Sequence, residues 1–95
     1  MITIDKKDNK IAISGHSGYA EHGKDIVCAA ISTIAITSIN AIESVCNGVI
    51  NASDDGTNLV IEIVKEDEIG NKLIDNMLNM FDEVIAKYPK NVERK

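Results

Sequence analysis

Two residues of this chain, His16 and Cys28, have the types and the spacing needed for covalent chemistry. His16 lies in a glycine-containing stretch, and Cys28 follows twelve residues later, near the start of a long apolar run that predicts a helix. The N–H groups and the positive dipole end of a helix N-terminus favour a thiolate over a thiol. A neutral imidazole that folds back over the thiol can accept its proton. The pair therefore indicates catalysis by a cysteine nucleophile.

Free cysteines are most often small buried hydrophobes, so a structural role for Cys28 stays open at this point. Cys46 lies at the predicted C-terminus of the same helix, where the dipole disfavours a thiolate. Eighteen residues separate the two cysteines in the sequence. In a helix they span about 27 Å, whereas a disulfide needs a Cα separation of roughly 4.4–6.8 Å. We therefore expect two free thiols and a structural role for Cys46.

Three further residues near this pair have more than one possible role. His22 competes with His16 as the general base, because it lies six residues from Cys28. Asp25 is expected to be the helix N-cap, with an orienting carboxylate as the alternative. Ser32 lies one helical turn after Cys28 on the same face. A metal site of His16, His22 and Cys28 is formally possible, but the spacing matches no common zinc pattern and a fourth ligand is missing. We predict neither a metal nor a cofactor.

The composition predicts one small domain over residues 1–95, with 44% hydrophobic residues available for a core. Aromatic residues make up only 3%, which disfavours a base-stacking surface for nucleic acids. The formal net charge of −5 disfavours binding to a phosphate backbone and is compatible with a basic partner. The N-terminal residues do not form a signal sequence, so we expect a cytoplasmic location.

The apolar run from residue 26 to residue 46 is about as long as a membrane span. It contains Ser32, Asn40 and Glu43 among other polar residues, so we predict a central, buried helix of a small domain rather than a span. Alternation of apolar and polar residues predicts a hairpin on either side of the loop and helix, with Asp54-Asp55-Gly56 as the second turn. The first hairpin is predicted from strands at residues 2–4 and 11–14, joined by a turn over residues 5–9. The second is predicted from strands at residues 49–52 and 59–64.

Apolar residues at helical spacing predict a second helix that ends at Pro89, and residues 91–95 are either a frayed tail or a last strand. The element order is therefore ββαββα. It predicts an α+β fold with one four- or five-stranded sheet and both helices packed on one face.

The segment from Gly15 to Ser32 resembles the ribosomal-processing cysteine proteases of bacteria, known as Prp. The resemblance rests on the Gly15-His16 pair, on Gly23, on the run from Asp25 to Ala30 with its central Cys28, and on Ser32. The twelve-residue gap between the histidine and the cysteine also matches the family, and so does the ββαββα order. Ser17 departs from the pattern, since the family usually has alanine after the Gly-His pair.

The resemblance implies that Cys28 is the nucleophile, that His16 is its general base, and that Asp25 and Ser32 are supporting residues. It implies a homodimer that removes the N-terminal extension of a large-subunit ribosomal protein by cleaving after an aromatic residue. A non-catalytic ribosome-associated binding or assembly factor remains the alternative, and a redox-sensing thiol protein ranks third. The resemblance also implies a mobile loop that orders around the substrate; its residues here include Gly15, Ser17, Gly18, Tyr19, His22 and Gly23.

Overall fold

The structure, a computed structural model, describes residues 1–15, 25–56 and 58–95, with the side chain of Asp25 excepted. Its elements follow the order β1, β2, α1, β3, β4, α2, β5, which agrees with the predicted ββαββα order and adds a short last strand. The strands are β1 Ile2–Lys7, β2 Lys10–Ser14, β3 Ile50–Asp54, β4 Asn58–Ile63 and β5 Val92–Arg94. The helices are α1 Asp25–Val45 and α2 Glu68–Lys87.

The five strands form one mixed sheet in the order β3-β4-β2-β1-β5. Neighbouring strands are antiparallel except β1 and β5, which are parallel. In this register Ile13 lies opposite both Ile4 and Leu59, and Ile11 lies opposite Ile61. The apolar residues therefore share one face of the sheet, and both helices cover that face.

The core is aliphatic, as expected from a chain with a single phenylalanine and no tryptophan. Burial of each large apolar side chain contributes about 1.5–3 kcal/mol. The largest fully buried side chains are Phe81, Ile4, Ile11, Ile13, Ile31, Ile42, Ile61, Met77 and Val92.

The sequence predicted a central, buried helix, but α1 is buried on one side only. By length and composition the segment Ile26–Val45 could cross a membrane, with a mean hydropathy of 1.7. In the fold, however, only one side of α1 enters the core, through residues such as Ile31 and Ile42. Ile26 and Ile36 on its outer side are 58% and 53% exposed. The outer side of α1 is exposed because it faces neither α2 nor the sheet.

The first hairpin turn is tighter than predicted. Its turn consists of Asp8 and Asn9 alone, and Asp8 has a φ of 55°, which suits a two-residue hairpin loop. Asp5 and Lys7, which we had placed in the turn, belong to β1 and pair with β2. Charged residues are compatible with this strand end because their side chains are exposed.

The C-terminal residues form a strand. Val92–Arg94 pairs with β1, and Arg94 Nη1 lies 2.8 and 2.7 Å from the two carboxylate oxygens of Asp82 on α2. Ile2 N–H also donates to Asn91 O over 2.8 Å. The question left open by the sequence is therefore settled in favour of a last strand over a frayed tail.

Candidate active site

Cys28 lies in the N-terminal part of α1 and is half-buried, with its side chain packed against the hydrophobic core. Asp25 is the first described residue of α1, and Cys28 is the fourth. The residues before Asp25 and its side chain lie outside the described residues, so its role as the N-cap stays a prediction. Cys28 still lies in the turn whose N–H groups point toward the helix N-terminus. Such groups can stabilise a negatively charged oxygen in a reaction.

The N-terminal part of α1 and the end of β2 lie at the same end of the molecule. Ala30 of α1 and Tyr88 line one groove. Tyr88 O accepts a hydrogen bond from Asn91 N–H over 3.0 Å, and Asn91 O accepts one from Ile2 N–H. Ile2 follows Met1, which contacts the end of β2 at Gly15. Gly15, which immediately precedes His16, therefore lies at the same end of the molecule as Cys28.

Gly15 occupies a position that only glycine fits. Its φ is +85°, a conformation that residues with a Cβ rarely adopt. A Cβ at this position would also collide with the carbonyl oxygen of Met1. The glycine therefore lets β2 end in a sharp change of direction immediately before His16.

The structure describes only some of the other predicted site residues. Ser32 is half-buried on α1, one turn after Cys28, as the sequence predicted. The side chain of Asp25 lies outside the described residues, and so does the loop that contains the predicted general base. The loop residues outside the description are His16, Ser17, Gly18, Tyr19, His22 and Gly23.

Cys46 has a different environment from that of Cys28. It follows the last residue of α1, and its thiol donates a hydrogen bond to the carboxylate of Asp67. Burial raises the pKa of the Cys46 thiol, and the hydrogen bond and negative charge of Asp67 raise it further. The two cysteines are not joined by a disulfide, as predicted. A thiol kept protonated in this way is a poor nucleophile, which agrees with a structural role.

An apolar groove between α1 and α2 was missed by the sequence analysis. Its two parts have volumes of about 210 and 200 Å³, and both are lined by Ile34 and Met80. Of the two apolar neighbours on α2 at this point, Phe81 is buried and Met80 is 42% exposed. Helical spacing alone does not distinguish these neighbours, because the boundary of the buried face depends on where α1 packs.

Among the described residues no group of three or more His, Cys, Asp or Glu side chains is arranged to hold a metal ion. The described part of the site thus consists of a thiol, a helix N-terminus and the glycine that precedes a histidine. These parts suit acyl transfer through a thioester.

The chain is similar in sequence to known cysteine proteases. A sequence model of the family described as cysteine protease Prp matches residues 1–93. The Ribosomal processing cysteine protease Prp of Staphylococcus aureus (strain Mu50 / ATCC 700699) is 31% identical over 101 residues, which cover 97% of this chain and 95% of that protein. The protein of the same name from Bacillus subtilis (strain 168) is 37% identical over a shorter segment of 38 residues, 40% of this chain and 34% of that protein.

The fold is also similar to solved structures. The ribosomal processing protease Prp from S. aureus in complex with a substrate peptide has a TM-score of 0.89 and 26% identity, covering 100% of this chain and 98% of that chain. The same protease in complex with a covalently linked product peptide has a TM-score of 0.87 and 27% identity over the same shares of the two chains.

Proposed function

This chain belongs to the cysteine protease Prp family, and we propose that it removes the N-terminal extension of a large-subunit ribosomal protein, with Cys28 as nucleophile and His16 as general base. It is a cysteine protease, as its family membership and whole-length similarity to S. aureus Prp indicate. The observation that carries the proposal for Cys28 is its position near the N-terminus of α1, at the end of the fold where the Gly15-His16 pair begins.

The proposed reaction proceeds through a thioester. His16 takes the proton of Cys28, and Sγ forms a bond to the carbonyl carbon of the scissile amide. The N–H groups at the start of α1 stabilise the resulting oxyanion. The C–N bond then breaks as His16 returns the proton to the leaving amine. Water attacks the thioester, which releases the new carboxylate and restores the thiol.

The proposed roles of the remaining residues follow from their positions. Asp25 and Ser32 support the pair from the same helix as Cys28, one before and one after it. The chain between His16 and Cys28 connects the two proposed catalytic residues, so a peptide bound against it would align them for proton transfer. Cys46 takes no part, because its thiol is bonded to Asp67 at the far end of α1.

The proposed partner is a basic protein, and the formal net charge of −5 supports its attraction by long-range electrostatics. The S. aureus relative named above carries ribosomal processing in its name. We place the reaction in the cytoplasm, where ribosomal proteins are made, without direct contact to nucleic acid or membrane.

We also propose that the protein is a homodimer, as its resemblance to the family implies. The outer side of α1 carries exposed, uncharged residues at helical spacing, among them Ile26, Ala29, Thr33 and Ile36. An uncharged surface lets two acidic copies associate without like charges in direct contact. A second copy of the chain therefore suits this side of α1.

Cleavage of the ribosomal protein with its extension, followed by mass spectrometry, tests the function. Cys28→Ala should abolish cleavage, and His16→Ala should reduce turnover by about 10²–10⁴-fold, the usual contribution of a general base. Cys46→Ser is the matched control, since its hydroxyl can still donate to Asp67, and it should cleave at the rate of the unmodified protein.

Cleavage by Cys28→Ala would refute the nucleophile assignment. An unchanged rate in His16→Ala would transfer the base role to His22 or to water. Stoichiometric binding without cleavage by the unmodified protein would instead support a non-catalytic assembly factor.

A further inference from the structure

The two edges of the sheet differ in a way that bears on peptide binding. The β5 edge has three residues, and an Arg94–Asp82 ion pair at 2.7 Å ties its end to α2. The β3 edge has five residues, Ile50–Asp54, and its first four carry no charge. Exposed edge strands pair readily with an extended chain unless charge or shortness prevents it. Among the described strands, β3 is therefore the edge that can accept another strand.

The hydrogen bonds between β3 and β4 show which backbone groups of β3 remain on the outer side. Val64 N–H donates to Val49 O over 2.8 Å, and Asp55 N–H donates to Asn58 O over 3.1 Å. In an antiparallel pair, residues that bond to the neighbouring strand alternate with residues whose N–H and C=O point away from it. The pairs at Asn51 and Ser53 thus complete the ladder. The outward row consists of Ile50, Ala52 and Asp54.

Cys28 lies on the side of α1 that faces away from α2. Residues such as Ala30 and Ile34 line the groove against α2. At 100° per residue, Cys28 lies roughly 120–160° around the helix from them. Because α1 contacts β3 and α2 contacts β5 at the opposite edge, this side of α1 is the one nearer the β3 edge.

Cys28 and Asp54, the last residue of β3, also lie toward the same end of the sheet. Asp54 pairs with Leu59, and Leu59 pairs with Ile13 near the end of β2. The start of α1 lies at that end as well. From Cys28 to the end of α1 the helix spans about 26 Å, whereas β3 spans about 13–17 Å. A strand along β3 would therefore have to continue about 10 Å, or three to four residues, beyond Asp54 to reach Cys28.

We infer that the outer edge of β3 binds the backbone of the peptide substrate, which adds to the sheet as a further strand and continues past Asp54 to Cys28. The inference rests on the proposed protease function and concerns its substrate recognition. It assigns peptide recognition to backbone hydrogen bonds from the exposed residues Ala52 and Asp54, made several residues away from the scissile bond.

The occupant is an extended, basic peptide segment. Asp54 and Asp55 are exposed at the end of β3 nearer the active site. Asp54 Oδ1 accepts from Gly56 N–H over 2.9 Å, and Asp55 Oδ1 accepts from Asn58 N–H over 2.7 Å. These bonds hold both carboxylates at the turn, where their charges attract lysine and arginine side chains of the passing peptide.

N-methylation of single backbone amides in a synthetic substrate peptide tests the inference on the unmodified protein. Methyl groups that replace hydrogens pointing at β3 should raise KM about tenfold or more. Methyl groups on the alternate amides of the same segment should change it less than about threefold, because those hydrogens point away. The segment should begin about three or four residues from the scissile bond.

Ala52→Pro tests the same contact from the protein side. It removes an outward N–H that takes no part in the pairing with β4, so proline is compatible with this edge position. KM should rise about tenfold, while the melting temperature and the alkylation rate of Cys28 by iodoacetamide report whether the fold and the thiol are intact. If this variant does not fold, the methylated peptides decide alone.

The outcomes separate this inference from the proposed function. A flat response to methylation along the peptide, with the unmodified peptide cleaved normally, would overturn edge pairing and leave the protease function standing. No cleavage of the unmodified peptide would overturn both. A loss of self-association in Ala52→Pro, with KM unchanged, would assign the β3 edge to a second copy instead.

Discussion

The thiol of Cys46 donates a hydrogen bond to the carboxylate of Asp67, the residue that caps the N-terminus of α2. The same carboxylate accepts a bond from Gly70 N–H over 2.8 Å. One side chain thus joins the end of α1 to the start of α2. Burial and the Asp67 hydrogen bond raise the pKa of Cys46, whereas the bonds from Gly70 and Cys46 lower the pKa of Asp67.

Replacement of Asp67 by asparagine should make Cys46 more reactive. Asparagine also caps helices well, so α2 keeps its N-cap while the negative charge beside the thiol disappears. The pKa of Cys46 should then fall, and its alkylation by iodoacetamide near pH 8 should become severalfold faster, as measured by mass spectrometry of the cysteine-containing peptides. Cys28 serves as the internal control, since its alkylation rate should not change. Unchanged reactivity of Cys46 would show that burial alone raises its pKa.

The same pair predicts how stability depends on pH. The pKa of Asp67 is lowered in the folded state, so its stabilising effect is present above its ordinary pKa of 3.8 and is lost as the pH falls below it. The pKa of Cys46 is raised above its ordinary value of 9.0 in the folded state. Its contribution to folding stability is therefore present below pH 9 and is lost as the pH rises further. The difference in melting temperature between the unmodified protein and Asp67→Asn should therefore be largest between about pH 5 and pH 8. A difference in melting temperature that grows as the pH becomes acidic would contradict the lowered pKa of Asp67.

Gly15→Ala should destabilise the protein more than Gly48→Ala. Both glycines have a positive φ, +85° and +84°, and an alanine there costs about 1–2 kcal/mol from strain alone. A Cβ at Gly15 would in addition collide with Met1 O, whereas nothing lies within 4 Å of a Cβ at Gly48. Urea denaturation should show a loss of at least about 2 kcal/mol for Gly15→Ala, which exceeds the loss expected from backbone strain alone in Gly48→Ala. Equal losses at both positions would show that the Met1 backbone moves aside.

The sequence predicted most elements of the fold because their signals are local. The alternating isoleucines of β1 and β2 and the helical spacing of α2 are each visible within a few residues. β5 was left open because Val92–Arg94 is too short for a pattern; its pairing with β1 comes from the opposite end of the chain. The sequence also identified Cys28 and Ser32 on one helix, but not the Cys46–Asp67 bond or the free edge of β3. Both depend on how distant elements pack, which a one-dimensional pattern does not contain.

Ile36→Lys should shift the proposed homodimer toward monomer. Ile36 is 53% exposed near the middle of α1, on its uncharged outer side, so a lysine there would place a charge within an interface between two copies. Ile69→Lys is the matched control, because Ile69 is also 53% exposed but lies in the first turn of α2. Analytical ultracentrifugation should show a dissociation constant at least tenfold higher for Ile36→Lys and an unchanged one for Ile69→Lys. An unchanged dissociation constant in Ile36→Lys would exclude the outer side of α1 as the dimer surface, because a charge buried by association costs affinity.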